Sequence, residues 1–255
     1  DFTGLQIGSF FATMGVASLF MPAVMGIIAD RWIPAQKLLG ICHLVSGGFL
    51  IAAASQTAYG PLYSCMLLSV MFYMPTIALS NSVAYNALDL ARLDTVKHFP
   101  PIRVWGTVGF IAAMWFVDLT HIGGVQIKLT EWQLYVSAVL SFLLAVYSFS
   151  LPGCPVDRNV KARSWVDTLG LRAFTLFKEK RMAIFFVFSM LLGAALQITN
   201  AFGDSYIQSF GSMPQYADSA IVKHSVILLS LSQMSETLCI LLIPFFLRRF
   251  GIKKV

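Results

Sequence analysis

The chain has 255 residues and a mass of 28.1 kDa, and 57% of its residues are hydrophobic. Charged residues make up only 12%, about half of the roughly 25% that is typical of soluble domains. A domain of this size cannot bury so much apolar surface, so part of that surface must face lipid. The composition excludes a soluble enzyme, a nucleic-acid-binding domain and a disordered chain, and it makes the net charge of +6 a record of membrane orientation rather than of an acidic partner.

Seven apolar stretches are each long enough to cross a bilayer core of about 30 Å, which takes around 20 helical residues. They lie at Leu5–Ala29, Leu38–Ser55, Pro61–Leu88, Ile102–Leu119, Trp132–Leu151, Met182–Phe210 and Val226–Leu247. None of them shows the alternation with a period of two that a membrane barrel strand requires. The sequence therefore predicts an all-α, polytopic transmembrane helical bundle, since only helices and closed barrels satisfy the backbone in lipid.

Basic residues fall almost entirely in the odd-numbered loops. Fifteen of the 18 Lys and Arg residues follow spans one, three, five and seven. Lys128 and Lys223 lie on the opposite side, and Arg103 lies within the fourth span. Because cytoplasmic loops carry such an excess, residue 1 is expected outside the cytoplasm and residue 255 inside it.

The fifth loop, residues 152–181, is the one long connection in this pattern. Its second half places five apolar residues at helical spacing among basic ones: Trp165, Leu169, Ala173, Leu176 and Phe177. This spacing is typical either of an amphipathic helix on the cytoplasmic leaflet or of an ordinary linker helix. The loop separates a block of five spans from a block of two.

The ends of the first and seventh spans resemble each other. Arg31-Trp32 and Arg249-Phe250 lie 218 residues apart, and each pair closes a span on the predicted cytoplasmic side. A helix and basic turn that recur on one side of the membrane are typical of a parallel repeat.

The first of these turns resembles a known signature. Gly26-x-x-x-Asp30-Arg31 is similar to the loop motif of the major facilitator superfamily, Gly-x-x-x-Asp-Arg-x-Gly-Arg-Lys, although Ile33 stands where that motif has its second Gly. The resemblance implies that the seven spans are helices 2 to 8 of twelve. The implied domains are an N-terminal half lacking helix 1 (1–151), a cytoplasmic linker with an amphipathic helix (152–181) and the start of a C-terminal half (182–255).

Polar groups inside the spans are functional candidates, because an ionisable group at the bilayer centre costs about 2.5–3.5 kcal/mol on insertion scales. In the fourth span, the spacing of Arg103, Thr107 and Phe110 puts a guanidinium, a hydroxyl and an aromatic ring on one helix face. This set suits a ligand with hydroxyls and a flat ring. Gly106 and Gly109 allow a neighbouring helix to approach. Alternatively, Arg103 extends to the membrane interface.

Two further sets lie in the sixth and seventh spans. Gln197 and Asn200 share one helix face, where amides either read a nucleobase or sugar edge or bond neighbouring helices. Gln233 and Glu236 follow in the seventh span, and Glu236 lies about 18 Å before Arg248, near the bilayer midplane. A carboxyl group at that depth is protonated or paired, so Glu236 is a candidate for binding substrate hydroxyls, handling protons, or both.

Over essentially its whole length, the chain resembles the bacterial nucleoside:proton symporter family of the major facilitator superfamily. Three segments carry this resemblance: Phe99–Phe110, Arg181–Asn200 and Ser232–Glu236. The resemblance implies a monomer in the bacterial inner membrane, with residue 1 periplasmic, that imports nucleosides with protons by alternating access. It also implies a central nucleoside site lined by Arg103, Thr107, Phe110, Gln197, Asn200, Gln233 and Glu236. In the family, a carboxylate in a later helix outside this sequence is implicated in proton coupling, and within this sequence Glu236 is the candidate for that role.

Other functions remain open in this pattern. A sugar or oligosaccharide:proton symporter of the same superfamily would use a similar arginine and aromatic ring, and a seven-helix receptor would share the topology. The chain lacks the Asp-Arg-Tyr and Asn-Pro-x-x-Tyr motifs of receptors, and it has no His-Glu-x-x-His, Gly-x-Ser-x-Gly or Walker motif. We therefore expect no enzyme, no catalytic residue, no cofactor, no metal and no nucleic-acid partner.

Overall fold

The computed structural model describes residues 2–156 and 171–251. Within these residues, seven helices are long and apolar enough to cross a membrane, as the sequence predicts. They are α1 (Gly4–Arg31), α2 (Ala35–Ala54), α3 (Tyr59–Leu90), α4 (Thr95–Leu119), α5 (Trp132–Phe149), α6 (Lys180–Ser209) and α8 (Ser225–Phe250), and a short α7 (Ala220–Lys223) precedes the last. The all-α transmembrane bundle is therefore confirmed.

The fourth span begins earlier than predicted. The helix starts at Thr95, whereas the apolar pattern starts at Ile102. Pro100 and Pro101 consequently lie in its second turn, where each removes one backbone donor from the helical ladder. Hydropathy identifies the part of a helix that faces lipid, and it does not detect polar helical turns that precede this part.

Contacts divide the chain into two compact units: Asp1–Ala91 with Glu131–Ser189, and Arg92–Thr130 with Met190–Val255. In the first unit, α2 packs against both α3 and α5, and α1 packs against α3. Its buried core consists of Met25, Ala29, Ala35, Leu38, Leu39, Cys42, Leu79 and Val83. These units reflect contacts alone, so the division into two halves at residues 1–151 and 182–255 stays a prediction.

Two glycines bring α2 close to α5. A Cβ atom on Gly40 would lie 2.9 Å from Cζ of Phe149 and 3.1 Å from the Ala145 carbonyl oxygen. A Cβ atom on Gly47 would lie 3.0 Å from Cε1 of Phe142. Small residues at such positions are typical of membrane helices, because dispersion contacts take the place of a hydrophobic driving force.

In the second unit, α4 packs against α8, and a small hairpin follows α4. Strands β1 (His121–Ile122) and β2 (Val125–Gln126) are antiparallel and are joined by Gly123 and Gly124, whose φ angles are +61° and +83°. Two consecutive positive φ angles are those of a type I′ turn, which glycine adopts without strain.

The linker prediction is only partly covered by the structure. The predicted helix runs from Trp165 to Arg181, and its beginning lies outside the described residues. The described part forms a 3₁₀ helix, Leu171–Lys178, in which Leu176 and Phe177 are exposed, and α6 starts directly after it. The choice between an amphipathic membrane helix and an ordinary linker helix stays open.

Candidate functional site

All seven residues that the sequence singles out for substrate binding lie in the second unit, on α4, α6 and α8. Two contacts show how these helices face one another. Nε1 of Trp115 donates a hydrogen bond of 2.8 Å to Oγ of Ser230, which joins α4 to α8. A Cβ atom on Gly203 would lie 3.0 Å from Cδ2 of Leu229, so α6 approaches α8 one residue away from Ser230.

The candidate residues of α4 lie on one side of that helix. Trp115 marks the direction of α8, and each residue of a helix turns by about 100°. Viewed along the axis of α4, three side chains point away from the direction of α8 to the same side. The angles are about 80° for Thr107, 120° for Arg103 and 140° for Phe110. Thr107 is buried with 9% exposure, whereas Phe110 is 53% exposed.

The candidate residues of α8 face the same side of the helix pair. Gln233 and Glu236 are about 60° and 120° from the direction of Ser230. The two helices run antiparallel, since Asp118 contacts His224 whereas the earlier residue Trp115 contacts the later Ser230. Because the angular sense reverses with the helix direction, the polar faces of α4 and α8 open towards one common space.

Helix α6 borders this space as well. Leu229 is the residue of α8 that α6 approaches. Viewed along the axis of α8, Leu229 points about 100° away from Ser230, which is between the directions of Gln233 and Glu236. Gly203 marks the direction from α6 to α8. Viewed along the axis of α6, Asn200 is rotated by about 60° from that direction and Gln197 by about 120°, both towards α4. Counted in this way, the three predicted sets face one space in the second unit, where the side chains of Gln197, Asn200 and Glu236 are exposed.

The three sets also lie at similar depths. At about 1.5 Å per residue, Phe110 lies about 7.5 Å below Trp115, and Glu236 lies about 9 Å below Ser230, towards the N-terminal end of α4. Gln197 lies about 9 Å below Gly203 in the same direction. A ring, an amide and a carboxyl group therefore fall within about 3 Å of one level.

The side chain of Arg103 turns towards this level. A Cβ atom on Gly106 would lie 3.2 Å from Nη1 of Arg103, so the guanidinium group lies over Gly106, one turn further along α4. An arginine that extends to the interface would point the other way, towards the N-terminal end of the helix. The observed direction brings the guanidinium close to the level of Thr107.

The residues of the loop motif belong to the first unit. Gly26, Asp30 and Arg31 occupy the last turns of α1, and Trp32 caps that helix. Gly26 and Asp30 share one helix face, since they are four residues apart. Among the described residues, no group of three or more His, Cys, Asp and Glu could hold a metal ion.

A buried ion network at the end of α4 was not anticipated from the sequence. The carboxylate of Asp118 is fully buried and accepts hydrogen bonds from Lys128 and His224. An acidic residue in the last turn of an apolar span was the available signal, because such a charge needs a partner. The partners are distant in sequence or lie in loops, so spacing could not identify them.

The comparisons with known proteins agree with this architecture. The family model described as "Nucleoside H+ symporter" matches residues 1–255. Xanthosine permease of Escherichia coli (strain K12) is 51% identical over 254 residues, which is 100% of this chain and 60% of that permease. Nucleoside permease NupG of the same organism is 48% identical over the same shares of the two proteins.

Solved structures give the same result. Two crystal structures of the nucleoside transporter NupG match 99% of this chain with TM-scores of 0.86 and 0.81 at 48% identity. This chain covers 62% and 61% of the two NupG chains, so it spans about three fifths of the proteins that it matches. The seven membrane helices and these relatives identify a multi-pass inner-membrane protein. The chain belongs to the nucleoside H+ symporter family.

Proposed function

We propose that the protein containing this chain imports nucleosides together with protons, by alternating access. The observation that carries the proposal is the convergence of polar faces from α4, α6 and α8 on one space at one level. Membership of the nucleoside H+ symporter family supports it, as do the names of the xanthosine and nucleoside permeases that the chain resembles.

The residue types fit the two parts of a nucleoside. The ring of Phe110 offers a flat surface on which a nucleobase stacks. The amides of Gln197 and Gln233 both donate and accept, as the edge of a base requires. Arg103 and Thr107 supply a guanidinium fork and a hydroxyl for ribose hydroxyls or a base carbonyl, and Asn200 adds a further amide towards the same space.

Glu236 is our candidate for coupling transport to protons. Its depth in α8 makes an unpaired carboxylate costly, so the group is neutral or paired with a donor. A bound nucleoside hydroxyl and a proton would then stabilise the same side chain, which links their binding. Such linkage is what symport requires, because each ligand must favour the state that binds the other.

Alternating access adds a structural requirement. Under the predicted division, α4 belongs to residues 1–151, whereas α6 and α8 belong to residues 182–255. A site built from both blocks changes shape when one block rocks against the other, which is how secondary transporters expose a central site to each face in turn.

Uptake of labelled uridine and adenosine tests this proposal. Arg103→Ala, Gln233→Ala and Glu236→Gln are made in the full-length protein and expressed in cells that lack other nucleoside transporters. We expect uptake to fall by at least about tenfold in Arg103→Ala and Glu236→Gln, since a hydrogen bond to a charged group contributes about 1.5–3 kcal/mol, and by several-fold in Gln233→Ala, since a neutral hydrogen bond contributes about 0.5–1.5 kcal/mol. Glu131→Gln and Gln133→Ala, the same kinds of change on exposed residues outside the site, serve as controls.

Three results would overturn parts of the proposal. Near-normal uptake in all three variants would contradict the assigned site. Uptake that an uncoupler leaves unchanged would contradict proton coupling. Stronger competition by sugars or oligosaccharides than by unlabelled nucleosides would replace the substrate class and favour a sugar symporter of the same superfamily.

A further inference from the structure

The outer ends of α4 and α8, which lie on the predicted periplasmic side, are tied together through one buried carboxylate. Oδ1 of Asp118 accepts a hydrogen bond of 2.5 Å from Nζ of Lys128, and Oδ2 accepts one of 2.7 Å from Nδ1 of His224. The side chain of Asp118 is 0% exposed and that of Lys128 is 8% exposed. Both oxygen atoms of a charge removed from solvent are thus occupied by donors from outside α4.

Lys128 also makes a second hydrogen bond, to a residue just before α8. Its Nζ also donates a hydrogen bond of 2.9 Å to the carbonyl oxygen of Lys223, the last residue of α7. The loop that holds Lys128 is anchored in turn, because Nε2 of Gln126 donates to the carbonyl oxygen of Asp118 at 2.9 Å. The hairpin after α4 therefore holds a lysine between the end of α4 and the start of α8.

We expect the hydrogen bonds that join the outer ends of α4 and α8 around Asp118 to be either all formed or broken together, without a stable intermediate. A buried carboxylate is stable only while its donors stay in place, and removing one donor leaves a desolvated charge without compensation. If the outer ends of α4 and α8 separate, the bond from His224 to Asp118 and the bond from Lys128 to the Lys223 carbonyl oxygen are lost together, whereas Lys128 stays beside Asp118 on the hairpin and water has to replace His224. The network thus favours one close arrangement of these ends and opposes intermediate ones.

We propose that Asp118, Lys128 and His224 form an outer latch that holds the periplasmic side closed and breaks each time the site opens to that side. The proposal rests on the proposed function, in which α4 and α8 belong to opposite blocks and rock apart. The hydrogen bond between Trp115 and Ser230 lies one turn deeper and joins the same two helices. Releasing the latch would expose the space above Phe110 to the periplasm.

A neighbouring carboxylate provides a matched control. Asp204 of α6 accepts hydrogen bonds from Oγ of Ser225 at 2.5 Å and from Nε2 of Gln208 at 2.8 Å. It also holds the start of α8, but its bonds join α6 and α8, which belong to the same predicted block. Breaking these bonds loosens the same end of α8 without releasing α4, so only the Asp118 network should control outward opening.

The test measures access to the space from outside. Met114 points to the same side of α4 as Thr107 and lies about 6 Å above Phe110. Met114→Cys is made in the full-length protein after every native cysteine, including the four of this chain, has been replaced by alanine. Intact cells are treated with a membrane-impermeant maleimide. We expect Asp118→Asn to raise the labelling rate of this cysteine on the order of tenfold, because the closed state loses the bonds that favour it. Asp204→Asn should leave the rate unchanged.

Labelling involves no substrate, so its failure is separate from failure of the proposed transport. An unchanged rate in Asp118→Asn, or an equal increase in Asp204→Asn, would overturn the latch. Immunoblots of the membrane fraction establish that each variant is inserted. If Asp118→Asn is not inserted, His224→Ala replaces it: this change removes one bond from a partly exposed side chain, and a rate unchanged from the parent would then overturn the proposal.

Discussion

The charged side chain of α4 lies against a glycine of the same helix. Nη1 of Arg103 is 3.2 Å from the position of a Cβ atom on Gly106, so the guanidinium would have to shift by a few tenths of an ångström to admit a methyl group there. Nothing lies within 4 Å of the corresponding position on Gly109, three residues further along the helix. The two glycines therefore differ in role although they belong to one sequence pattern.

This difference predicts unequal effects of two identical substitutions. Gly106→Ala should displace the guanidinium of Arg103 and raise the KM for labelled uridine roughly fivefold, which corresponds to about 1 kcal/mol of a charge-assisted hydrogen bond. Gly109→Ala is the control and should leave KM unchanged. The measurement is the concentration dependence of initial uptake. Equal KM values in the two variants would show that Gly106 does not position Arg103.

At the scale of helices, the contact between α2 and α5 depends on the absence of side chains at particular positions. Gly40→Ala places a methyl group 3.1 Å from the backbone oxygen of Ala145 and 2.9 Å from the ring of Phe149, and a backbone atom cannot move aside cheaply. We expect a loss of about 1–3 kcal/mol, as for other overpacked interiors. The thermal midpoint of the purified protein in detergent, followed by size-exclusion chromatography, measures this loss.

The same helix supplies the comparison. A Cβ atom on Gly48 meets nothing within 4 Å, so Gly48→Ala should keep the midpoint or raise it slightly through better helix propensity. A midpoint lowered equally by both substitutions would contradict the assigned contact.

The segment after α5 is held by α2 and α3. The backbone N–H of Cys154 donates to Oε1 of Gln36 at 3.0 Å, and Nδ2 of Asn86 donates to the carbonyl oxygen of Gly153 at 3.2 Å. Burial raises the pKa of the Cys154 thiol above its ordinary value. Because the thiolate is the reactive form, a raised pKa keeps the thiol protonated and slow to alkylate near neutral pH.

Releasing this segment should make the thiol more reactive. Gln36→Ala removes the buried acceptor for the Cys154 N–H, and we expect alkylation at pH 7.5 to accelerate several-fold because the released segment exposes the thiol to the reagent. Gln56→Ala, at the other end of α2, is the control. Rates measured by mass spectrometry between pH 7 and 9 test this, and identical profiles for all three proteins would contradict the anchoring.

At the scale of the whole molecule, the charge pattern predicts the orientation of every loop. Val125→Cys, in the hairpin after α4, should react with an impermeant maleimide in intact cells. Lys37→Cys, which is exposed at the start of α2, should react only after the membrane is permeabilised. Both belong in a cysteine-free background. The reverse pattern would invert the topology and place the Asp118 network on the cytoplasmic side.

The sequence by itself determined the number of spans, their predicted orientation and the residues to suspect. Hydropathy and loop charge are local properties, and a helix period relates Arg103 to Thr107, or Gln233 to Glu236, within one span. These features follow from the free energy of moving each residue between water and lipid, which depends little on the rest of the fold. Helix ends were less predictable, as the early start of α4 illustrates.

Only the tertiary structure decided how the spans face one another. The convergence of α4, α6 and α8 follows from the contacts of Trp115 and Gly203, and neither residue carries a charge or a motif. The pairing of Asp118 with His224 joins residues 106 positions apart. Such relations depend on side-chain packing and on the pairing of buried charge, which are properties of several helices together, so no periodicity within one span predicts them.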